Sequence, residues 1–190
     1  MAGSGREVFV NCPFDEGYKA FFDAAVFTIF TSGFVARCAR ETDNAADNRF
    51  DKICKISRTE TDGTPPLPRF NMPLELGVFL GAKRYGGAKQ RLKSCIVFDR
   101  EPYRFQRYIS DIAGQDIHAH NGEPRTLIVE LASWLRAQSG DPLIPGGIAI
   151  ATEFATFAAA LPAIYRARRL DPIEATFGDF SATVVQYLTR

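Results

Sequence analysis

Apolar and polar positions alternate in short blocks along this chain. EVFVNCPF, near the start, is β-rich and ends in Asn-Cys-Pro. In the following YKAFFDAAVFTIFTSG, Tyr18, Phe22, Ala25 and Ile29 recur at helical spacing and Gly33 supplies a stop. FVARCAR predicts a second strand, and the polar ETDNAADN predicts a loop before the short segment RFDKICK. Asn71 opens a helix, KSCIVFD is a further apolar strand, and a helical pattern follows at 103–113. DIHAH predicts a last short strand. PRTLIVELASWLRAQ predicts a helix with Pro124 at its N-terminus and Leu127, Leu131, Trp134 and Leu135 on one side. Strands alternating with helices predict an α/β fold, a parallel sheet with helices on both faces.

GDPLIPGG, residues 140–147, has the best linker composition and divides the chain into an α/β domain, 1–140, and a C-terminal helical extension, 141–190. In the extension Ile150, Phe154, Phe157, Leu161 and Ile164 form one apolar stripe, on a helix that Pro162 is expected to kink or restart. Asp171-Pro172 with Glu174 reads as the N-terminal cap of a final helix marked by Phe180, Val184 and Leu188. The stripe has three possible covers: the sheet domain, a second copy in a homo-oligomer, or another protein. Glu153 and Pro162 interrupt the apolar window 146–165, which argues against a membrane span.

Composition narrows the classes. A chain of 190 residues buries roughly 70% of its unfolded surface without staples. Its 23 basic and 22 acidic residues leave a formal charge of +1, so bulk electrostatics favours neither nucleic acid nor an anionic membrane as partner. The four cysteines, Cys12, Cys38, Cys54 and Cys95, are scattered without a CxxC pair, as in a reducing cytoplasm. The opening MAGSGREVFVN has no secretory pattern, and a cytoplasmic location is expected.

Ligands of open parallel sheets bind beyond the carboxyl ends of the strands. The loops expected there carry Asn11, Asp15 and Tyr18, then Arg37, Arg40, Glu41 and Asp43, then Ser57, Arg58, Glu60 and Asp62, and finally Asp99, Arg100 and Tyr103. Neither GxGxxG nor GxxxxGK occurs, so any phosphate falls to arginines and helix N-termini. Glu75, in PRFNMPLELGVFLG, is the sharpest candidate. A carboxylate at a helix start complements the macrodipole, but Met72, Leu74 and Leu76 should also dry its surroundings, as a reacting group requires. Gly77 and Gly81 predict close helix packing. His118 and His120 share one side of a strand but have no third ligand nearby, so no metal site is expected. Cys12 reads as a small packing residue.

VFVNCPFD, GFVARCARE, ISRTETD, LPRFNMPLELGVFLGAKRYG and YISDIAGQDIHAH together resemble a family of bacterial stand-alone proteins described as nucleotide-binding or TIR-like. More distantly, the chain is similar to the nucleoside 2-deoxyribosyltransferases. The resemblance implies a flavodoxin-like, Rossmann-like sheet in the order 2-1-3-4-5 and cleavage of an N-glycosidic bond in its crevice. NAD is then a possible substrate and no cofactor is required. It places Glu75 as nucleophile or charge stabiliser, with Asn11 and Asp15 on base or ribose and Arg37 or Arg58 on phosphate. Tyr18, Ser57, Asn71 and Asp99 complete the implied substrate site. One departure stands out: the short interval from Asn48 to Ser57 holds no room for both a covering helix and a central strand. Either residues between about Lys52 and Ile56 are missing from the sequence as given, or the third βα unit is shortened.

Overall fold

The fold is that of a computed structural model, which describes residues 6–38, 41, 71–107 and 117–190. It is mixed α/β with two parallel strand pairs. β1 (Glu7–Val10) pairs with β2 (Val35–Cys38), Glu7 opposite Val35 and Val10 opposite Cys38. β3 (Val97–Asp99) pairs with β4 (Ile117–Ala119), Val97 opposite Ile117. The strands are shorter than the apolar runs that predicted them. The helical pattern at 103–113 becomes a single 3-10 turn, Arg104–Arg107, with the remainder outside the described residues.

The crossover between β1 and β2 is α1 (Lys19–Thr31). Phe22, Ala24, Ala25, Val26, Phe27, Thr28 and Ile29 are all buried, so the helix is apolar nearly all round. The reason is its position, with strands β1 and β2 on one side and helices on the other. It ends at Gly33, whose φ of 78° is the left-handed conformation the stop requires. Two helices follow later in the chain, α2 (Asn71–Tyr85) and the one-turn α3 (Ala88–Arg91). α4 (Pro124–Ser139) starts with its proline in the first turn, ends at left-handed Gly140, and buries Leu127, Ile128, Leu131, Ala132 and Leu135 against α1.

The C-terminal extension forms α5 (Gly147–Ala167) and α6 (Phe177–Leu188), and both pack on the domain itself. Phe157, fully buried, stacks on Phe27 at 5.0 Å between centroids. It also meets the Phe180 and Tyr187 rings edge-on at 6.0 and 5.0 Å. Phe22 reaches Phe177 at 5.8 Å. Of the three covers open to the apolar stripe, the domain itself takes Ile150 and Phe157, while Phe154, Leu161 and Ile164 stay half-buried. By length and composition alone α5, with a mean hydropathy of 1.6 and 22% of that window buried, is long and apolar enough to cross a membrane. Pro162 neither ends nor restarts α5: it is exposed, and so is Ala158, whose carbonyl loses its helical donor there and can turn to water.

Two other expectations about the extension are corrected. Residues 140–147 are an ordered connection rather than a loose linker. Ile144 is buried, Asp141 Oδ1 accepts from the Leu143 amide at 3.0 Å, and Arg136 Nη2 donates to the Pro145 carbonyl at 3.2 Å. Asp171 and Glu174 do not cap α6, because Asp171 Oδ1 turns to the Ile173 amide at 2.8 Å. Thr176 is the cap: its Oγ1 accepts from the Asp179 amide at 3.2 Å, and Asp179 Oδ2 accepts from the Thr176 amide at 3.0 Å. Thr176→Ala is expected to lower stability by ~1 kcal/mol, read from denaturation midpoints.

The first residue of α5 lies against the backbone of α4. A Cβ on Gly147 would sit 2.5 Å from Val129 Cα and 3.0 Å from its carbonyl oxygen. Gly147→Ala should therefore destabilise by ~1–3 kcal/mol although alanine is the better helix former. A melting temperature at or above wild type would contradict this close approach.

Candidate functional site

The site residues gather where the strands end. Asn11 follows β1, Asp99 closes β3, and His120 follows β4. α2 supplies Glu75 as its fifth residue, just past the first turn in which it was expected. The macrodipole, which fades within the first turn, does not account for a carboxylate there. Glu75 is 8% exposed. Leu74 does not dry it, being 58% exposed and turned outward. Nor do Gly77 and Gly81 mark a close helix contact, since an added Cβ at either would meet no described atom within 4 Å.

The Asn11 side-chain amide donates to Glu75 Oε2. Asn11 Oδ1 and Glu75 Oε1 are both buried without a hydrogen-bond partner among the described residues. A buried acceptor left unpaired costs ~1–3 kcal/mol, so the pair carries a stability penalty that a bound group with donors or positive charge would relieve. Burial pushes the Glu75 carboxyl above its ordinary range, and the Asn11 amide opposes that rise.

A second group surrounds Asp99. Its Oδ1 accepts from Arg104 Nε at 2.8 Å and from the Arg100 amide at 2.7 Å. The His120 amide donates to the Asp99 carbonyl at 2.9 Å. The His120 ring, 3% exposed, lies 4.3 Å from Phe21 and edge-on to Tyr18 at 6.0 Å. Its Nδ1 accepts from the Gly122 amide at 3.2 Å, which places the proton of the neutral ring on Nε2. Burial lowers the His120 pKa, with Asp99 opposing. Burial raises that of Tyr18, and Cys12 and Asp99 add to the rise. At neutral pH the site therefore holds a neutral imidazole and a protonated phenol.

The remaining expected residues divide. Asp15 Oδ1 accepts from the Tyr18 amide at 2.9 Å and caps the 3-10 turn Glu16–Tyr18, an exposed structural role. Arg37 lies within β2 rather than in a loop beyond it. Its guanidinium is held by Glu7 at 2.8 Å and Glu41 at 3.3 Å, and Glu7 starts β1 at the end opposite Asn11. Arg37 is thus not brought to Glu75, and the expected phosphate role has no geometric support. Asn71 opens α2. Ser57 and Arg58 lie outside the described residues, as do Arg40, Asp43, Glu60 and Asp62. The two histidines are not a pair: His118 Nδ1 is 3.0 Å from Glu130 Oε2 on α4, whereas His120 sits on Phe21. No group of metal-ligating side chains occurs among the described residues. Cys12 is buried in the core, as expected of a packing residue.

Arg104 and the site position of His120 went unread in the sequence. His120 was detectable as the residue directly after the DIHA strand. Arg104 gave no signal, because its return to Asp99 depends on Tyr103 adopting a φ of 60°. No protein-family profile, curated protein or solved structure matches the chain.

Proposed function

We propose that this protein cleaves the N-glycosidic bond of a nucleotide, with NAD as substrate and nicotinamide as the released base. The buried Glu75 carboxylate, with Oε1 unpartnered at the strand ends, carries the reading. A poorly hydrated, fixed negative charge favours an oxocarbenium-like transition state, or attacks C1′ directly. Nicotinamide leaves NAD neutral, taking the electron pair of the C1′–N bond. Water then supplies hydroxyl to C1′ and releases one proton. This substrate needs no general acid, and it suits a site whose Tyr18 and His120 are poor proton donors at neutral pH.

The reading includes a flavodoxin-like sheet. The parallel pairs β2–β1 and β3–β4 are both neighbours in the order 2-1-3-4-5. It also includes a cytoplasmic, defence or toxin-like setting in which assembly of copies switches the activity on. A second reading, a nucleotide sensor without turnover, draws on one observation: α5 and α6 pack on α1, the helix that starts directly after Tyr18. Occupancy of the crevice would then reach the extension through α1.

Incubating concentrated protein with NAD and following nicotinamide by chromatography separates the two. Release that depends on Glu75 supports the glycosidase. Absence of release, with NAD still raising the melting temperature, supports the sensor. No release and no thermal shift contradict both.

A further inference from the structure

Asp99 is held in an asymmetric way. The guanidinium of Arg104, through Nε and Nη2, and the Arg100 amide all donate to Oδ1, and among the described residues none donates to Oδ2. The side chain, at the end of β3, is only 11% exposed. Arg104 reaches it through the turn 101–104, where Tyr103 takes a left-handed φ of 60° while its side chain remains 73% exposed. A non-glycine residue in that conformation, whose own side chain gains little burial, is strain that serves the delivery of Arg104. A cavity of about 360 Å³, lined by Glu101, Pro102, Tyr103, Arg104 and Gln106, opens beside Arg104.

A carboxylate with one oxygen clamped three times and the other unengaged by the described residues is arranged to receive a hydrogen-bond donor from a ligand. We propose that Asp99 Oδ2 accepts a hydroxyl of the ribosyl group whose C1′ faces Glu75, and that Arg104 is the positioning residue that aims it. This rests on the glycosidase reading. On a bound nucleotide such a donor has two sources, an O–H of the sugar or an N–H of the base, and the sugar is favoured because bond cleavage requires C1′ to be fixed. A lysine offers a point charge that cannot reproduce the two-nitrogen grip.

The test is calorimetric binding to Glu75→Gln protein, which keeps the ligand intact. The probes are NAD, NAD lacking both hydroxyls on the nicotinamide-bearing ribose, and the analogue in which the carboxamide is a carboxylate. Loss of the hydroxyls should weaken binding roughly 10- to 100-fold, the worth of a hydrogen bond to a charged group. Adding Asp99→Asn or Arg104→Ala should erase that discrimination, with Arg104→Lys restoring only part of it. A merely structural role for Arg104 would weaken all three probes equally. Discrimination between sugars that survives Asp99→Asn overturns the assignment and leaves the glycosidase reading standing. A discrimination that tracks the carboxamide instead places the donor on the base and also overturns it. Absence of NAD binding to the Glu75→Gln protein overturns this inference, whereas nicotinamide release by the wild type decides the glycosidase reading separately.

Discussion

Glu75→Gln is expected to reduce nicotinamide release by roughly 10²–10⁴-fold and, near neutral pH, to make the protein more stable. On the proposed glycosidase reading, the first effect follows from losing the negative charge that would face the reacting carbon. The second follows from what folding does to that charge. Burial raises the Glu75 pKa in the folded protein, so folding favours the protonated carboxyl. Its contribution is fully present below the unfolded pKa and is lost as pH rises through the folded value. Above that range the wild type keeps an ionised carboxylate, 8% exposed, with one oxygen unpaired. Glutamine carries no charge there. Its amide can donate to Asn11 Oδ1, the other unpaired acceptor, once the Asn11 amide turns over. A gain on the order of 1 kcal/mol at pH 7–8, vanishing toward about pH 4, is the expected result in denaturant titrations. A variant that is less stable at pH 7.5 would mean that Glu75 serves the fold.

Phe157→Ala should produce the largest loss of stability, ~3–5 kcal/mol, and lower the melting temperature by about 10 °C. Phe157 has no exposure and packs against rings from α1 and α6 at once, so its removal leaves a cavity bounded by elements that cannot close over it independently. The prediction separates two descriptions of the extension. If α5 and α6 were a loosely docked module, the main unfolding transition would stay where it is and a minor early transition would appear. If they complete the core, one transition moves as a whole. Calorimetry reads the difference directly.

Helices were more legible in the sequence than the site was. The apolar spacing of α4 and α5 set their buried sides, because a helix with one face in water must show its period. Even α1, buried nearly all round, kept enough spacing and a glycine stop to be placed. Short strands were overestimated, since apolar residues continue past the few that pair. What covers the Ile150–Ile164 stripe was undetermined, because a hydrophobic stripe specifies burial and not a partner. The α6 cap was misplaced because Asp171-Pro172 and Thr176 both carry capping chemistry, and only the chain path chooses between them.

Within the site, Glu75 and Asn11 were read separately, and their hydrogen bond joins residues 64 apart in the chain. Arg37 was read as belonging to a loop, yet cross-strand pairing with Glu7 explains its charge. Arg104 depends on a backbone conformation that a tyrosine rarely adopts, and residue patterns do not encode that.

The pH dependence of kcat/KM for nicotinamide release tests the central claim most directly, because it reports the titration of the reacting group in the free protein. With Glu75 as that group, release should fall on the acid side with a midpoint above 4.5, the ordinary value for this carboxyl, and Glu75→Gln should abolish the profile along with the activity. A midpoint at or below 4.5, or release that persists in Glu75→Gln, would contradict the assignment of the buried carboxylate as the group that acts on the glycosidic bond.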